Sequence, residues 1–473
     1  MDDRELTERL RTVLGAALGE PVVVEGLTRL PGGASKDTWS FSARGSGGSV
    51  RRLVLRRDRD RMGPSGSRLG LEAALLAAAA AVGVPVPPVV ATGVDSDELG
   101  AAFLITEFVD GETIPRRILR DEQWASVRPV LAAQCGQILA AVHRIPPGEV
   151  PGLGAGDPLA QLRGQLDQLG QPHPAFELGL RWLERTRPAA SVPGVVHGDF
   201  RNGNLIVGDD GIRAVLDWEL AHLGDAVEDL GWLCVKAWRF GSPLPVGGFG
   251  SIEQLVTAYQ AAGGRPVDED VLRWWIVLGT LRWGIICIAQ ALTHLSGAVR
   301  SVELAAIGRR VCEVESDLME LLPWTDPSGI PGRPPLTAGG PPALERPPGP
   351  RGAPHDVPSA VQLLDAVREF LENEVSPATE GRVRFHVRVA ANVVAMVGRE
   401  VELREALAIA HAARLAGLGV GSEAELAAAI RSGAFDDRLG TVSDAVRATV
   451  ADKLAVANPG HRLPPATSSP GPG

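Results

Sequence analysis

The chain has 473 residues, 45% hydrophobic and 22% charged, with a formal net charge of −10 at pH 7. That balance is ordinary for a soluble globular protein, and the length allows about three structural modules around a large core. The acidic charge leaves no electrostatic footprint for coating nucleic acid or an anionic membrane, so neither is expected as a partner.

Lys36, Lys236 and Lys453 are the only lysines among 47 basic residues. Arginine therefore does nearly all the cationic work, a bias read as genome composition. Cys135, Cys234, Cys287 and Cys312 lie far apart with no paired spacing, which excludes a local zinc knuckle and argues against a disulfide framework. The N-terminal MDDRELTERL is acidic and amphipathic, unlike a signal peptide. The apolar run after Trp274 is interrupted by Arg282, short of a membrane span. A cytoplasmic, reducing location is expected.

In chain order, β-like runs occur at Val22–Val24, Trp39–Ala43, Arg52–Arg57 and Phe103–Phe108, with an Ala-rich helix from Leu69 to Val82. Beyond residue 108 long helical patterns dominate, broken by short strands around Val195, Leu205–Val207 and Ala214–Leu216. This is an α+β arrangement: a small β-rich lobe over 1–108 and a larger helical lobe over 109–325. Residues 326–354 hold ten prolines and six glycines, a semi-rigid spacer that continues neither core. Residues 355–462 read as a separate all-helical domain, and 463–473 as a disordered tail. In that domain Leu364, Val367, Leu371 and Val375 form one apolar stripe, and Phe385, Val389, Asn392 and Met396 a second, which places Asn392 on a buried face. A chain ending near Trp324 is expected to fold without the C-terminal helices.

The chemistry concentrates in Val195–Asp229, VVHGDFRNGNLIVGDDGIRAVLDWELAHLGDAVEDL. Asn204 lies five residues beyond Asp199. A hairpin turning at Asp209-Asp210-Gly211 brings Asn204 and Asp217 to the same end of adjacent strands. Three converging oxygen donors suit Mg²⁺, which takes one or two carboxylates and completes its shell with phosphates. Phosphoryl transfer needs that metal and one carboxylate to accept the attacking hydroxyl's proton.

The D-x-x-x-x-N spacing, with an aspartate closing the next strand, is the protein-kinase arrangement. The segment resembles the aminoglycoside phosphotransferase family, small-molecule relatives of protein kinases whose catalytic loop reads H-G-D-x-x-x-x-N. Its finer form, HGDFRNGNLIV then LDWELAHLGDAVEDLGWLCVKAW, looks like the branch found as a domain in some acyl-CoA dehydrogenase proteins. The C-terminal helices resemble a domain of unknown function that accompanies some bacterial phosphotransferases.

The resemblance implies a bilobal protein-kinase-like fold, ATP or GTP as donor, and a small-molecule hydroxyl as acceptor. It makes Asp199 the catalytic base, Asn204 and Asp217 the Mg²⁺ ligands, and Arg201 a cation facing the γ-phosphate. His197 becomes a structural anchor and Asp229 a brace for the catalytic loop. Gly32, Gly33 and Ser35 would cradle phosphate, as glycine-rich turns do. Arg56 stands where kinases carry a lysine, with Glu72 as its acidic partner, and backbone groups from Glu107 to Val109 would meet the base. Asp217-Trp218-Glu219 replaces Asp-Phe-Gly. The acceptor reads as a hydroxyacyl-CoA or related metabolite, with an aminoglycoside or a catalytically silent nucleotide-binding module as alternatives. Arg273, Arg282, Arg300, Arg309 and Arg310 against one acid, Glu303, favour an anionic acceptor. The C-terminal helices are a candidate homodimer interface.

Overall fold

The computed structural model describes residues 2–30, 36–58, 68–94, 98–324 and 358–461. Gly32, Gly33 and Ser35, the spacer 326–354 and the tail 463–473 lie outside the described residues. The chain forms two compact units, Met1–Asp157 with Pro188–Gly279, and Pro158–Arg187 with Thr280–Gly473.

The first unit opens with α1 (Asp3–Leu18), capped by the Asp2 carboxylate, which accepts from the N–H groups of Arg4 and Glu5 at 3.0 and 2.8 Å. Then come β1 (Val22–Leu30), β2 (Lys36–Gly45), β3 (Val50–Asp58), α2 (Leu69–Ala81), β4 (Val89–Gly93) and β5 (Phe103–Glu107). The strands make one antiparallel sheet in the order β1-β2-β3-β5-β4. Alternation sends Trp39, Phe41, Leu53 and Leu55 into a core shared with Leu6, Leu10 and Leu14 of α1. Strand β4 escapes a sequence reading because its burial does not alternate.

Helices α3 (Pro115–Arg120) and α4 (Arg128–Val142) follow; α5 (Pro158–Leu169) and α6 (Pro174–Arg185) belong to the second unit. The first unit resumes with β6 (Gly194–Val196), the hairpin β7 (Leu205–Gly208) and β8 (Gly211–Val215), β9 (His222–Gly224), α7 (Val227–Leu233) and α8 (Ile252–Ala261). Helix α8 starts in a reciprocal capping box between Ser251 and Gln254. It lies so close to α4 that a side chain at Gly136 would strike the Leu255 carbonyl.

Helix α9 (Glu269–Leu295) runs from the first unit into the second. Arg282 does not shorten it: its 27 residues are long and apolar enough to cross a membrane, and 56% of its apolar window is buried inside the protein. In the second unit come α10 (Val302–Arg309), α11 (Val311–Leu321), α12 (Ala360–Phe370), α13 (Gly381–Leu418), α14 (Glu423–Ser432) and α15 (Leu439–Ala457).

The packing divides the chain elsewhere than its composition does. Helices α14 and α15 pack on α6 and α11 within one unit, and charge joins them. Glu177 of α6 is 3% exposed and pairs with Arg163 at 2.8 Å and with Arg431 of α14 at 2.7 Å. Glu315 of α11, equally buried, pairs with Lys453 of α15 at 3.3 Å, so two buried carboxylates of the preceding helices take cations from the C-terminal ones. Asn392 is exposed on α13. The stripe through it is not the buried face, which passes through Val387 and Ala391 instead.

Candidate active site

Every described residue of the site belongs to the first unit. The loop after β6 turns at Gly198, whose φ of +76° is left-handed and where a side chain would meet the Leu220 carbonyl. His197 before it is fully buried. Its Nε2 lies 3.0 Å from the Leu216 carbonyl, and its Nδ1 accepts the Asp199 N–H at 3.1 Å. Those partners specify one neutral tautomer, and burial pushes the imidazole below its ordinary pKa against the pull of Asp229 and Asp199.

Asp229, also fully buried, accepts the backbone N–H groups of His197 and Gly198 at 2.8 and 2.9 Å. His143 Nε2 stands 3.2 Å from the same carboxylate, and its Nδ1 lies 3.0 Å from the hydroxyl of Tyr259, the one tyrosine of the chain. Burial would raise Asp229, but the hydrogen bonds from His143 and from the His197 backbone N–H outweigh it and hold the carboxyl below the usual range. The loop is therefore clamped through its backbone by an ionised group.

Asp199 and Asn204 meet in this loop. Asn204, 2% exposed, donates through Nδ2 to the Asp199 carboxylate at 2.7 Å and to its carbonyl at 2.9 Å, leaving the amide oxygen for another partner. The Asn204 carbonyl accepts from Leu216 N–H at 2.8 Å, continuing the hairpin so that Asp217 follows beside it. Asp217 has φ 59° and ψ 63°, a left-handed conformation rare for a residue with a side chain. Next to it Trp218 is buried, its ring tilted against that of His197 with the centroids 4.6 Å apart.

Arg56 of β3 pairs with Glu72 of α2, and its other terminal nitrogen reaches Asp217 at 3.4 Å. Glu72 is 2% exposed and has a second cation that the sequence reading missed: Lys36 of β2, 3.3 Å away. Lys36 also lies 3.1 Å from Glu219, so two cations alternate with three carboxylates. Its signal in the sequence was its rarity, a lysine just after the glycine-rich stretch in a chain with three.

Arg201 turns its Nε to Asp199 at 3.0 Å and lays its guanidinium 4.7 Å from the Trp238 ring centre. At the end of β5, the Glu107 and Phe108 N–H groups are taken by the Pro88 and Arg52 carbonyls, both at 2.9 Å. No backbone partner reaches the Val109 N–H among the described residues.

Among the described residues no three His, Cys, Asp or Glu side chains form a group able to hold a metal. Asn204 and Asp217 are hard oxygen donors whose shell would be completed by phosphate and water, the manner of Mg²⁺. The four cysteines are all buried, and burial pushes Cys234, Cys287 and Cys312 up to about 12.

Residues 26–275 match the phosphotransferase enzyme family, and residues 377–461 match a domain of unknown function, DUF6285. Mouse acyl-CoA dehydrogenase family member 10 is 28% identical over 211 residues, covering 41% of this chain and 19% of that protein. The probable acyl-CoA dehydrogenase IBR3 of Arabidopsis thaliana is 27% identical over 284 residues, 50% of this chain and 33% of that protein. The chain thus spans a third or less of the length of these relatives. A crystal structure from Ralstonia eutropha, assigned as an aminoglycoside phosphotransferase, superposes with a TM-score of 0.53 at 23% identity, covering 68% of this chain and 98% of that one.

Proposed function

Because the chain belongs to the phosphotransferase enzyme family, whose members carry phosphoryl groups to alcohols, we propose that it moves the γ-phosphoryl group of ATP or GTP to the hydroxyl of a hydroxyacyl-CoA or related metabolite. The observation that carries the reaction is the Asp199–Asn204 pair beside Asp217, on a loop clamped by Asp229. Bound Mg²⁺ at Asn204 and Asp217 would neutralise phosphate charge. Asp199 takes the proton of the acceptor hydroxyl. Arg56 and Lys36 stand ready to exchange carboxylates for phosphate oxygens, with Glu72 holding both in place. Arg201 supplies positive charge beside the base, and the Val109 N–H, without a backbone partner among the described residues, suits an acceptor atom of the nucleobase.

The acyl-CoA dehydrogenase relatives support the acceptor class. Charge supports it less than the sequence suggests, because Arg309 pairs with Glu400 and Arg310 with Glu313. The test is ADP or GDP release with Mg²⁺, either nucleotide, and a panel of hydroxyacyl-CoA thioesters and aminoglycosides, with the phosphorylated product identified by mass. Turnover of an aminoglycoside alone would replace the acceptor; release with none of them, nor with water, would remove the kinase reading.

For the C-terminal helices we infer a second copy as partner. Helix α12 buries none of its residues, and Leu363, Val367 and Phe370 on one face are 54%, 49% and 52% exposed. Residues 360–375 carry four acids and one arginine, whereas 381–399 carry four arginines and no acid. Two-fold pairing of α12 with the α13 of another chain would cover the stripe and match those charges. Light scattering of the full chain should give a dimer, and Val367→Asp a monomer; a monomeric wild type sinks the inference.

A further inference from the structure

One contact at the base is explained neither by metal binding nor by the loop clamp. Trp232, on α7 and 2% exposed, directs its indole N–H at Asp199 Oδ1 over 2.8 Å. The same oxygen accepts Arg201 Nε at 3.0 Å. The Trp232 ring packs 5.1 Å from that of Trp238, which also lies against the Arg201 guanidinium. Asp199, Trp232, Trp238 and Arg201 therefore close a ring of contacts around one carboxylate oxygen.

A carboxylate oxygen offers about two acceptor sites, so the two donors fill Oδ1. Among the described residues Oδ2 takes one donor, Asn204, and keeps one site open. We infer that Trp232 is a positioning residue for phosphoryl transfer: with Arg201 it saturates Oδ1, turning the open lone pair of Oδ2 toward the acceptor. In the step, the acceptor O–H proton passes to Oδ2 and the hydroxyl oxygen bonds to the γ-phosphorus. The bond from that phosphorus to the β,γ-bridging oxygen breaks, and its electron pair leaves with the nucleoside diphosphate. Without the indole donor the carboxylate is free to rotate, and base and hydroxyl lose alignment although both still bind.

This inference rests on Asp199 being the base, and the experiment separates the two. With Mg²⁺, ATP and the fastest hydroxyacyl-CoA acceptor, or water if none reacts, Trp232→Phe removes the donor and keeps an aromatic ring. The expected kcat falls about tenfold, the size of one lost hydrogen bond to a charged group, with both KM values within about twofold. In an Asp199→Asn background the same change should cost nothing further, whereas a merely structural role would cost as much in both. Independently of turnover, the Trp232 indole ¹⁵N–¹H resonance should move upfield in Asp199→Asn. An unmoved resonance, or Trp232→Phe turning over at the wild-type rate, overturns the assignment of Trp232. A wild type that releases no ADP removes the kinase reading itself, on which this inference stands.

Discussion

Lys453 of α15 places its ammonium 3.3 Å from Glu315 of α11, a carboxylate only 1% exposed and 138 residues earlier in the chain. His173 Nδ1 meets the same carboxyl at 2.9 Å. Burial would raise Glu315, yet Lys453 and His173 outweigh it and hold the group below the usual carboxylate range. Lys453 is raised in turn: burial opposes its charge, and Glu315 and Glu423 more than restore it.

A chain ended after Trp324 would leave Glu315 without Lys453 and Glu177 without Arg431. Each carboxylate keeps one partner, Arg163 for Glu177 and His173 for Glu315, so each loss is smaller than the about 3–5 kcal/mol of a buried charge left with none. With the faces of α6 and α11 uncovered as well, the truncated chain should be less stable than the whole. Thermal melts of both chains decide it. A soluble fragment melting within a few degrees of the full chain would restore the boundary drawn at the proline-rich spacer.

Asp199→Asn should keep the fold and nucleotide affinity while kcat falls by about 10²–10⁴, the range for losing a general base. Half the wild-type rate, with chemistry rate-limiting, would take the base role from Asp199. Asp217→Ala should instead lose Mg²⁺-dependent nucleotide binding, read by titration calorimetry. Unchanged affinity there removes it from the metal site.

Lys36→Met and Arg56→Met should each weaken Mg²⁺·ATP binding by about tenfold or more, since each removes one charge from the phosphate site. The double change should abolish binding, with Glu72 left buried and unpaired. Lys36→Met at wild-type affinity, beside a large loss for Arg56→Met, would reduce Lys36 to a fold contact.

His197 predicts a pH effect on stability. Its folded pKa lies below the unfolded value of about 6.5, so between the two the unfolded chain binds more protons and stability rises with pH. The contribution is complete above about pH 6.5 and is lost on acidification, with a slope of at most about 1.4 kcal/mol per unit. His222 acts in the opposite sense and in another window: burial lowers it, but Glu228 more than compensates, so its contribution is lost as pH rises above 6.5. Urea melts between pH 7.5 and 5.5 should show His197→Gln losing less stability than wild type. Parallel curves would clear His197 of that role.

The part of the site legible in the sequence is the part built by short separations. Asp199 and Asn204 are five residues apart, and a four-residue strand and a tight turn carry the chain back to Asp217. Turn chemistry and strand alternation act over such distances, so spacing alone reports them. Glu72 and Arg56 were legible only through the resemblance, because nothing local demands a carboxylate in an Ala-rich helix.

Taken alone, the sequence determined the loop that carries Asp199 and Asn204, the hairpin, four of the five strands of the sheet and the Ala-rich helix, since each follows from neighbours within a few residues. Only the tertiary structure decided that Lys36 shares Glu72 with Arg56, that Trp232 reaches Asp199, and that Lys453 and Arg431 hold the C-terminal helices to Glu315 and Glu177. These are contacts between residues 33 to 254 positions apart, and their partners are chosen by burial. A carboxylate taken out of water must find a donor wherever packing supplies one, and no local pattern records which donor that is.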